Sequence, residues 1–320
     1  MAYDKLVDSA VLDAGLKQIA DAIREKSGTS DNLAFPAAMA SAITAIEAGG
    51  YGTDFEEMFI TRSISEYANN RVTTIGNNAF AYCYGLTTIS FPAVTTIGSY
   101  AFYNCSSITT AIFPAATSIG SYAFNNCRGL TTISFPVATT IGADAFNYCT
   151  KLTTAIFPAA TTIGKNAFAF CSGLTTISFP VATSIVSYAF SGCTKLTTAI
   201  FPAATSIGSY AFNNCRGLTT ISFPVATTIG AEAFGYCSNL TTASFPVTRY
   251  IGSSAFRDCS RLATIYLMRS SLCSLAHSNA FTSTGIKANA GSIYVPASLI
   301  TAYQAATNWA YFSTQFVAGD

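Results

Sequence analysis

Nine cysteines recur at a single spacing. Cys83, Cys105, Cys127, Cys149, Cys171, Cys193, Cys215, Cys237 and Cys259 are each 22 residues from the next, and a tenth, Cys273, stands outside the series. Thiols placed so regularly could hold metal ions or pair as disulfides. Metal sites want close pairs such as C-x-x-C converging on one point, whereas these cysteines are strung along a line. Stacking with the same period would bring neighbouring Cα atoms near disulfide range, but with parallel Cβ vectors that do not meet. The spacing therefore predicts a buried, reduced column of small apolar side chains. His277 is the only histidine, so a His-based triad or metal cluster is not expected. Asp144 and Glu232 share a repeat position but lie four repeats apart, about 19 Å at parallel-strand spacing. A glycosidase pair needs roughly 5–9.5 Å. Glu56 and Glu57 are adjacent in an expected strand and would point to opposite sides. No glycine-rich phosphate loop occurs. The sequence predicts no catalytic residue, no metal site and no cofactor.

The elements that position the cysteines are repeats. Phe80, Phe102, Phe124, Phe146, Phe168, Phe190, Phe212, Phe234 and Phe256 each follow an Ala and precede a Cys by three. Phe-Pro pairs run in the same register from Phe91-Pro92 to Phe245-Pro246, and an Ile recurs from Ile75 to Ile251. That Ile is followed by Gly in every repeat but one, where Val186 replaces it. The unit reads I-G-x-x-A-F-x-x-C-x-x-L-T-T-I-S-F-P-x-x-T-T. A strict period without insertions is what a stacked solenoid needs, because one coil cannot bury its apolar side alone. Leu86 to Phe91 fits a short strand with Leu, Ile and Phe inward. Pro ends the strand, Ile-Gly turns the chain, and Ala-Phe-x-x-Cys gives a short helical or 3₁₀ return. The fold class predicted is a leucine-rich-repeat-like solenoid with one parallel strand column.

Four segments follow. Residues 75–261 are the solenoid. Residues 51–74, with Met58, Phe59 and Ile60, read as an N-terminal cap. Residues 262–320 read as a C-terminal cap, with a last strand at Ile293 to Pro296, a helix over Ala297 to Ala306, and Trp309, Tyr311 and Phe312 closing the core. Residues 1–50 read as a separate helical attachment or oligomerisation module: Leu12, Leu16, Ile19 and Ile23 share a helical face, and Met39, Ile43 and Ile46 repeat the spacing.

Only a tenth of the residues are charged and the net charge is +1, with no charge between Arg71 and Arg128. Without a Lys/Arg cluster, a nucleic-acid partner is disfavoured. Half the residues are hydrophobic, yet Thr, Ser, Asn and Gly interrupt every apolar run, so no membrane-inserted helix is expected. Met1 to Ala10 does not read as a secretory signal, which predicts cytoplasmic synthesis.

Two surface patterns stand out. The residue before the strand Phe alternates Ser90, Ile112, Ser134, Ile156, Ser178, Ile200, Ser222, while its inward neighbour alternates Ile and Ala. Duplication of a 44-residue double unit explains the pattern, since residues 109–143 and 197–231 are identical. It also predicts an apolar stripe of Ile112, Ile156 and Ile200 that docks a partner or a second copy. The positions flanking Ala-Phe are rich in Tyr, Asn and Ser, a composition suited to adaptable recognition. Tyr100, Tyr122, Tyr188 and Tyr210 precede it, and Tyr82, Tyr148, Tyr236 and several Asn follow it. These tyrosines are the expected exposed ligand-binding residues, with their rings stacked on sugar faces; edge shielding is the alternative.

The I-G-x-x-A-F-x-x-C run followed by L-x-x-I-x-x-P resembles the BspA-type leucine-rich repeats over about residues 72–265. The stretch Leu16 to Arg24, continuing to Phe35-Pro36, resembles the N-terminal module of phage and prophage tail proteins of gut Firmicutes. Ile293 to Pro296 with Asn308-Trp309 resembles their C-terminal cap. The resemblance implies a virion-borne, host-recognising tail protein that binds a host cell-surface glycan or protein. Other tail proteins would dock through residues 1–50. The alternative it implies is a bacterial surface adhesin or interaction scaffold.

Overall fold

The computed structural model describes residues 66–68 and 72–319. The expected helices of residues 1–50 and the cap residues Met58, Phe59 and Ile60 lie outside the described residues.

Each coil has three sides. The first is a three-residue strand, such as Thr88–Ser90, Thr110–Ile112 or Thr132–Ser134. The strand pairings in this column are parallel, with residue i opposite i+22 through the repeats, as in Thr88↔Thr110 and Thr154↔Thr176. The repeat register thus sets the strand register. The column begins one coil before the expected solenoid, at Glu66–Ala68 against Thr88–Ser90. It divides between Thr198–Ile200 and Thr220–Ser222 and ends past the expected solenoid, at Ser292–Pro296 and Phe316–Gly319. The whole makes about 11 turns.

The second side corrects the expectation that Ile-Gly merely turns the chain. Thr96–Ile97, Ser118–Ile119 and their equivalents are two-residue strands that form a second parallel column. Gly then comes very close to the coil before it. A Cβ on Gly98 would lie 2.5 Å from the Gly76 carbonyl carbon, and one on Gly142 2.5 Å from that of Gly120. Real Cβ atoms do not approach so closely, so only Gly permits the stacking distance. Val186 is the exception, and the ladder is interrupted there: the second column divides between Thr162–Ile163 and Ser184–Ile185. The neighbouring Asn166 N–H to Ser187 carbonyl contact is stretched to 3.4 Å, against 2.8–2.9 Å for Tyr122 to Ala143 and Tyr100 to Ser121.

The third side, the return arm, is neither α-helix nor regular 3₁₀ helix. It keeps the expected i→i−3 bonds, for example Tyr103 N–H to Tyr100 carbonyl (3.1 Å) and Cys105 N–H to Phe102 carbonyl (3.3 Å). Alternate N–H groups instead reach the next coil: Tyr100 to Ser121, Phe102 to Ala123 and Asn104 to Asn125. Backbone donors are thereby shared between the coil and its neighbour, which satisfies them without a helix. The alternation requires left-handed backbone at two positions per coil, as at Tyr100 (φ 59°) and Asn104 (φ 61°).

The core is two aromatic ladders side by side. Phe102, Phe124 and Phe146 stack at 5.0–5.3 Å, and Phe113, Phe135 and Phe157 at 5.4–5.9 Å. Each ring buries on the order of 150–250 Å², so these ladders dominate the burial energy. Leu86, Ile89 and Phe91 are buried as the pattern requires. The cysteines are buried as well, and their thiols do more than fill space. Cys127, Cys149 and Cys215 each donate to the carbonyl of the Phe 25 residues earlier, at 3.2 Å. Burial pushes the thiols of Cys127, Cys171 and Cys193 well above the ordinary value, because a thiolate there would be desolvated.

At the far end, Ile300–Ala305 is helical, with a 3₁₀ turn at Ala297–Leu299 before it. Trp309 and Phe312 cover the core, and the Trp309 indole donates to the Cys273 carbonyl at 2.7 Å. Tyr311, expected to close the core with them, is 68% exposed. Its ring takes the Lys287 ammonium instead.

Candidate functional site

The return arm gathers the chemically richest side chains. Its first left-handed position is held in successive coils by Asn78, Tyr100, Tyr122, Asp144, Asn166, Tyr188, Tyr210, Glu232 and Ser254. The second carries Tyr82, Asn104, Asn126, Tyr148, Phe170, Gly192, Asn214, Tyr236 and Asp258. All seven predicted ligand-binding tyrosines therefore have positive φ, between 59° and 64°. Gly, Asn and Asp adopt this backbone readily; an L-residue with a bulky side chain is disfavoured there by on the order of 1 kcal/mol. Asn at these positions is explained by the backbone alone, and the rings are not.

The structure brings the tyrosines together in pairs along the rod. Tyr100 stacks on Tyr122 at 4.7 Å with planes 6° apart, Tyr188 on Tyr210 at 4.6 Å and 3°, and Tyr148 on Phe170 at 4.7 Å. The stacking corrects two expectations. One face of each paired ring is already occupied by its neighbour, so the paired rings present edges and hydroxyls rather than open platforms. Tyr100 is exposed, but Tyr122, Tyr188 and Tyr210 are half-buried, not exposed. Tyr82, Tyr148 and Tyr236 of the second row are exposed. The outer face of Tyr188 carries the Lys165 ammonium, 5.9 Å from the ring centre, and Tyr236 carries the Arg257 guanidinium at 5.6 Å.

A carboxylate closes each stacked pair of the first row, a feature the sequence reading weighed only as a possible acid pair. The Tyr210 hydroxyl donates to Glu232 Oε1 at 3.1 Å. Asp144 occupies the equivalent place beside Tyr122. It is buried and accepts from Asn147 Nδ2 at 2.8 Å and Asn166 Nδ2 at 3.4 Å. The Asp144 charge, then burial, raises the Tyr122 phenol above its usual range. For Tyr210 the hydrogen bond to Glu232 is the leading cause, followed by the charge of Glu232. The result is a unit of Tyr, Tyr and carboxylate, present twice and 88 residues apart. In the second row the Arg128 guanidinium donates to Asn126, which donates to Asn104, which donates to Tyr84. The rim offers hydroxyls, amides and a few charges.

Among the described residues no three His, Cys, Asp or Glu side chains converge as a metal site would require. His277 Nδ1 accepts the Asn279 N–H and so caps the 3₁₀ turn Ser278–Phe281. No helix among the described residues is long and apolar enough to cross a membrane. On the strand side, Ile112, Ile156 and Ile200 are 46–47% exposed. A groove of about 350 Å³ lies beside Ile156, lined also by Pro158, Thr176, Ser178 and Pro180.

Parallel strands in 22-residue register, with Leu, Ile, Phe and Cys turned inward, define a leucine-rich-repeat solenoid. A family model described as the BspA type leucine rich repeat region, in six copies, matches residues 57–175 and 161–287. The chain belongs to the BspA-type leucine-rich-repeat family. It is also similar to three solved structures. The leucine rich repeat protein of T. pallidum is 27% identical over 48% of this chain and 78% of that one, with a TM-score of 0.45. A leucine rich cell surface protein of Faecalibacterium prausnitzii is 23% identical over 80% and 87%, with a TM-score of 0.40. A leucine-rich repeat protein of Eubacterium ventriosum is 22% identical over 70% and 84%, with a TM-score of 0.44. These loose superpositions add nothing to the family match. No curated protein sequence matches the chain.

Proposed function

We propose that this chain is a non-enzymatic binding protein of the bacterial cell surface, an adhesin or interaction scaffold that takes its ligand on the return arm. The observation that carries the reading is the placement of Tyr100, Tyr122, Tyr188 and Tyr210 in left-handed backbone that favours Asn. Side chains held against their backbone preference cluster at functional sites. The family assignment supports the scaffold reading, because repeat solenoids present long surfaces on a rigid frame. The ligand class is a polar cell-surface glycan or protein, bound by phenol hydroxyls, ring edges and Asn amides.

Replacing the four tyrosines by Asn tests the assignment, since Asn suits the backbone and keeps the rod folded. Host-cell and glycan-array binding should fall at least tenfold while the far-UV spectrum is unchanged. Binding equal to the parent's would sink it. A tail-associated role is supported by resemblance alone, that of residues 16–36 to tail-protein modules and of Ile293 to Pro296 with Asn308-Trp309 to their C-terminal cap. Fractionating a producing culture separates the two: the surface reading puts the chain with the cell envelope, the tail reading puts it in particles.

A further inference from the structure

We propose that the strand face of the solenoid is an interface between two copies of this chain, packed antiparallel with the side chains of one in the notches of the other. The argument begins with an alternation wider than the Ser/Ile pattern. From residue 112 to residue 225, each coil with an outward Ile has Ala after its Pro, and each coil with an outward Ser has Val there. Val137, Val181 and Val225 are 39–44% exposed, at the tips of the turns that follow the strands. Aliphatic side chains therefore zigzag up the face, Ile on one coil and Val on the next, and each Ile is followed by a Ser notch. The groove beside Ile156 is one such notch, with Ser178 in its wall.

Period decides the occupant. Ridges recur every second coil, about 9.6 Å at parallel-strand spacing. A partner with one protruding side chain fills one notch. A second copy carries the same ridges at the same interval, so an antiparallel pairing that sets Ile coils against Ser coils fills them all. Over the eight coils from Thr88 to Ser244 that this register pairs, and about 20 Å of strand and turn, each copy would contribute about 770 Å² at standard strand dimensions. The total of about 1,540 Å² lies in the range of stable specific interfaces. The outward strand positions from Thr88 to Ser244 are Thr, Ser and Ile, with no charge to desolvate. The nearest cations, exposed Lys151 and Lys195, lie at the turn before the strand. Antiparallel pairing brings these two edges together, so salt should tighten the dimer by screening them.

Sedimentation of the full chain across 0.1–100 μM (about three decades around the micromolar scale) tests this. The parent should dimerise, and more tightly at 0.5 M than at 0.05 M salt, a change that shortens the screening length roughly threefold. The triple variant I112S/I156S/I200S should raise the dimer dissociation constant at least about 100-fold, since six buried Ile side chains are truncated per dimer. Ser134→Trp, which plugs a notch at an exposed site, should also dissociate the dimer without unfolding the rod. A monomeric parent, a triple variant as dimeric as the parent, a plugged variant that still pairs, or a dimer weakened by salt would each overturn the proposal.

Discussion

Within one coil, the strand arm and the return arm follow opposite rules. On the strand arm the backbone is extended and accepts Thr, Ser and Ile alike, and what varies there suits its conformation. On the return arm two positions per coil are left-handed, and Tyr, Phe and Glu stand where Asn, Asp or Gly would fit. A side chain that agrees with its backbone reveals little about why it is there. One that opposes its backbone is held by what it touches. The arms also differ inside: the return arm carries a thiol in each of the nine repeats, the strand arm only hydrocarbon.

That inner difference predicts the largest effect. Cys105, Cys127, Cys149, Cys171, Cys193, Cys215, Cys259 and Cys273 are all raised above the ordinary thiol value, chiefly by burial, and Cys273 reaches about 12. Below about pH 8.5 both folded and unfolded chains hold these protons, and stability is intact. Above it the unfolded chain releases them and the folded chain cannot. Stability is then lost as pH rises through the raised folded values, by about 1.4 kcal/mol per thiol per pH unit. Urea midpoints should hold level from pH 7 to 8 and fall steeply by pH 10, with return-arm amides exchanging first. A flat profile to pH 10.5, well past the ordinary thiol value, would remove the thiol column from the account.

Steric contact predicts a smaller effect. Gly142→Val, at the start of a return arm, should cost at least about 3 kcal/mol, because its Cβ meets the backbone of the coil before it. Thr132→Val on the strand arm should change stability by less than about 0.5 kcal/mol. Val186→Gly should raise the urea midpoint by rejoining the second column. Similar midpoints for Gly142→Val and Thr132→Val would show that the glycines are not spacers.

The smallest effect is the sharpest test of the comparison. Tyr122→Asn loses a stacked ring, worth about 0.5–1.5 kcal/mol, and relieves a left-handed residue, worth on the order of 1 kcal/mol. The net change should stay within about 0.5 kcal/mol by these opposing estimates. A loss of 2 kcal/mol or more on the same scale would mean that the rings are structural and not kept for a ligand.

Much of this was legible in the sequence. The 22-residue spacing of Phe and Cys set the coil, the Leu86, Ile89 and Phe91 alternation set the inward face, and Pro marked the strand ends. The second column was not legible, because a two-residue Thr-Ile strand is too short to show a period. The left-handed positions leave a signal in the sequence: Asn78, Asn104, Asn126, Asn166, Gly192 and Asn214 share two repeat positions. The chemistry of Asn104, Asn126 and Asn214 suggests recognition, whereas their conformational tolerance suffices. The pairing of tyrosines along the rod, and the carboxylate that closes each pair, required knowing that equivalent residues lie directly above one another. Tyr311 went astray because an aromatic near the end of a chain is as able to hold a surface lysine as to close a core.

Residues 109–143 and 197–231 are identical, and the coils they belong to occupy equivalent places in the stack. At the level of the gene, such blocks invite unequal crossing over. An exchange between them would remove or add four whole coils, with the junction falling inside matching sequence, so that Gly, Phe and Cys columns continue without a seam and both ends are untouched. Each exchange would also delete or duplicate one Tyr, Tyr and carboxylate unit. Length variants differing by 88 residues are thus the expected polymorphism of this locus, and ligand valence should change stepwise with them.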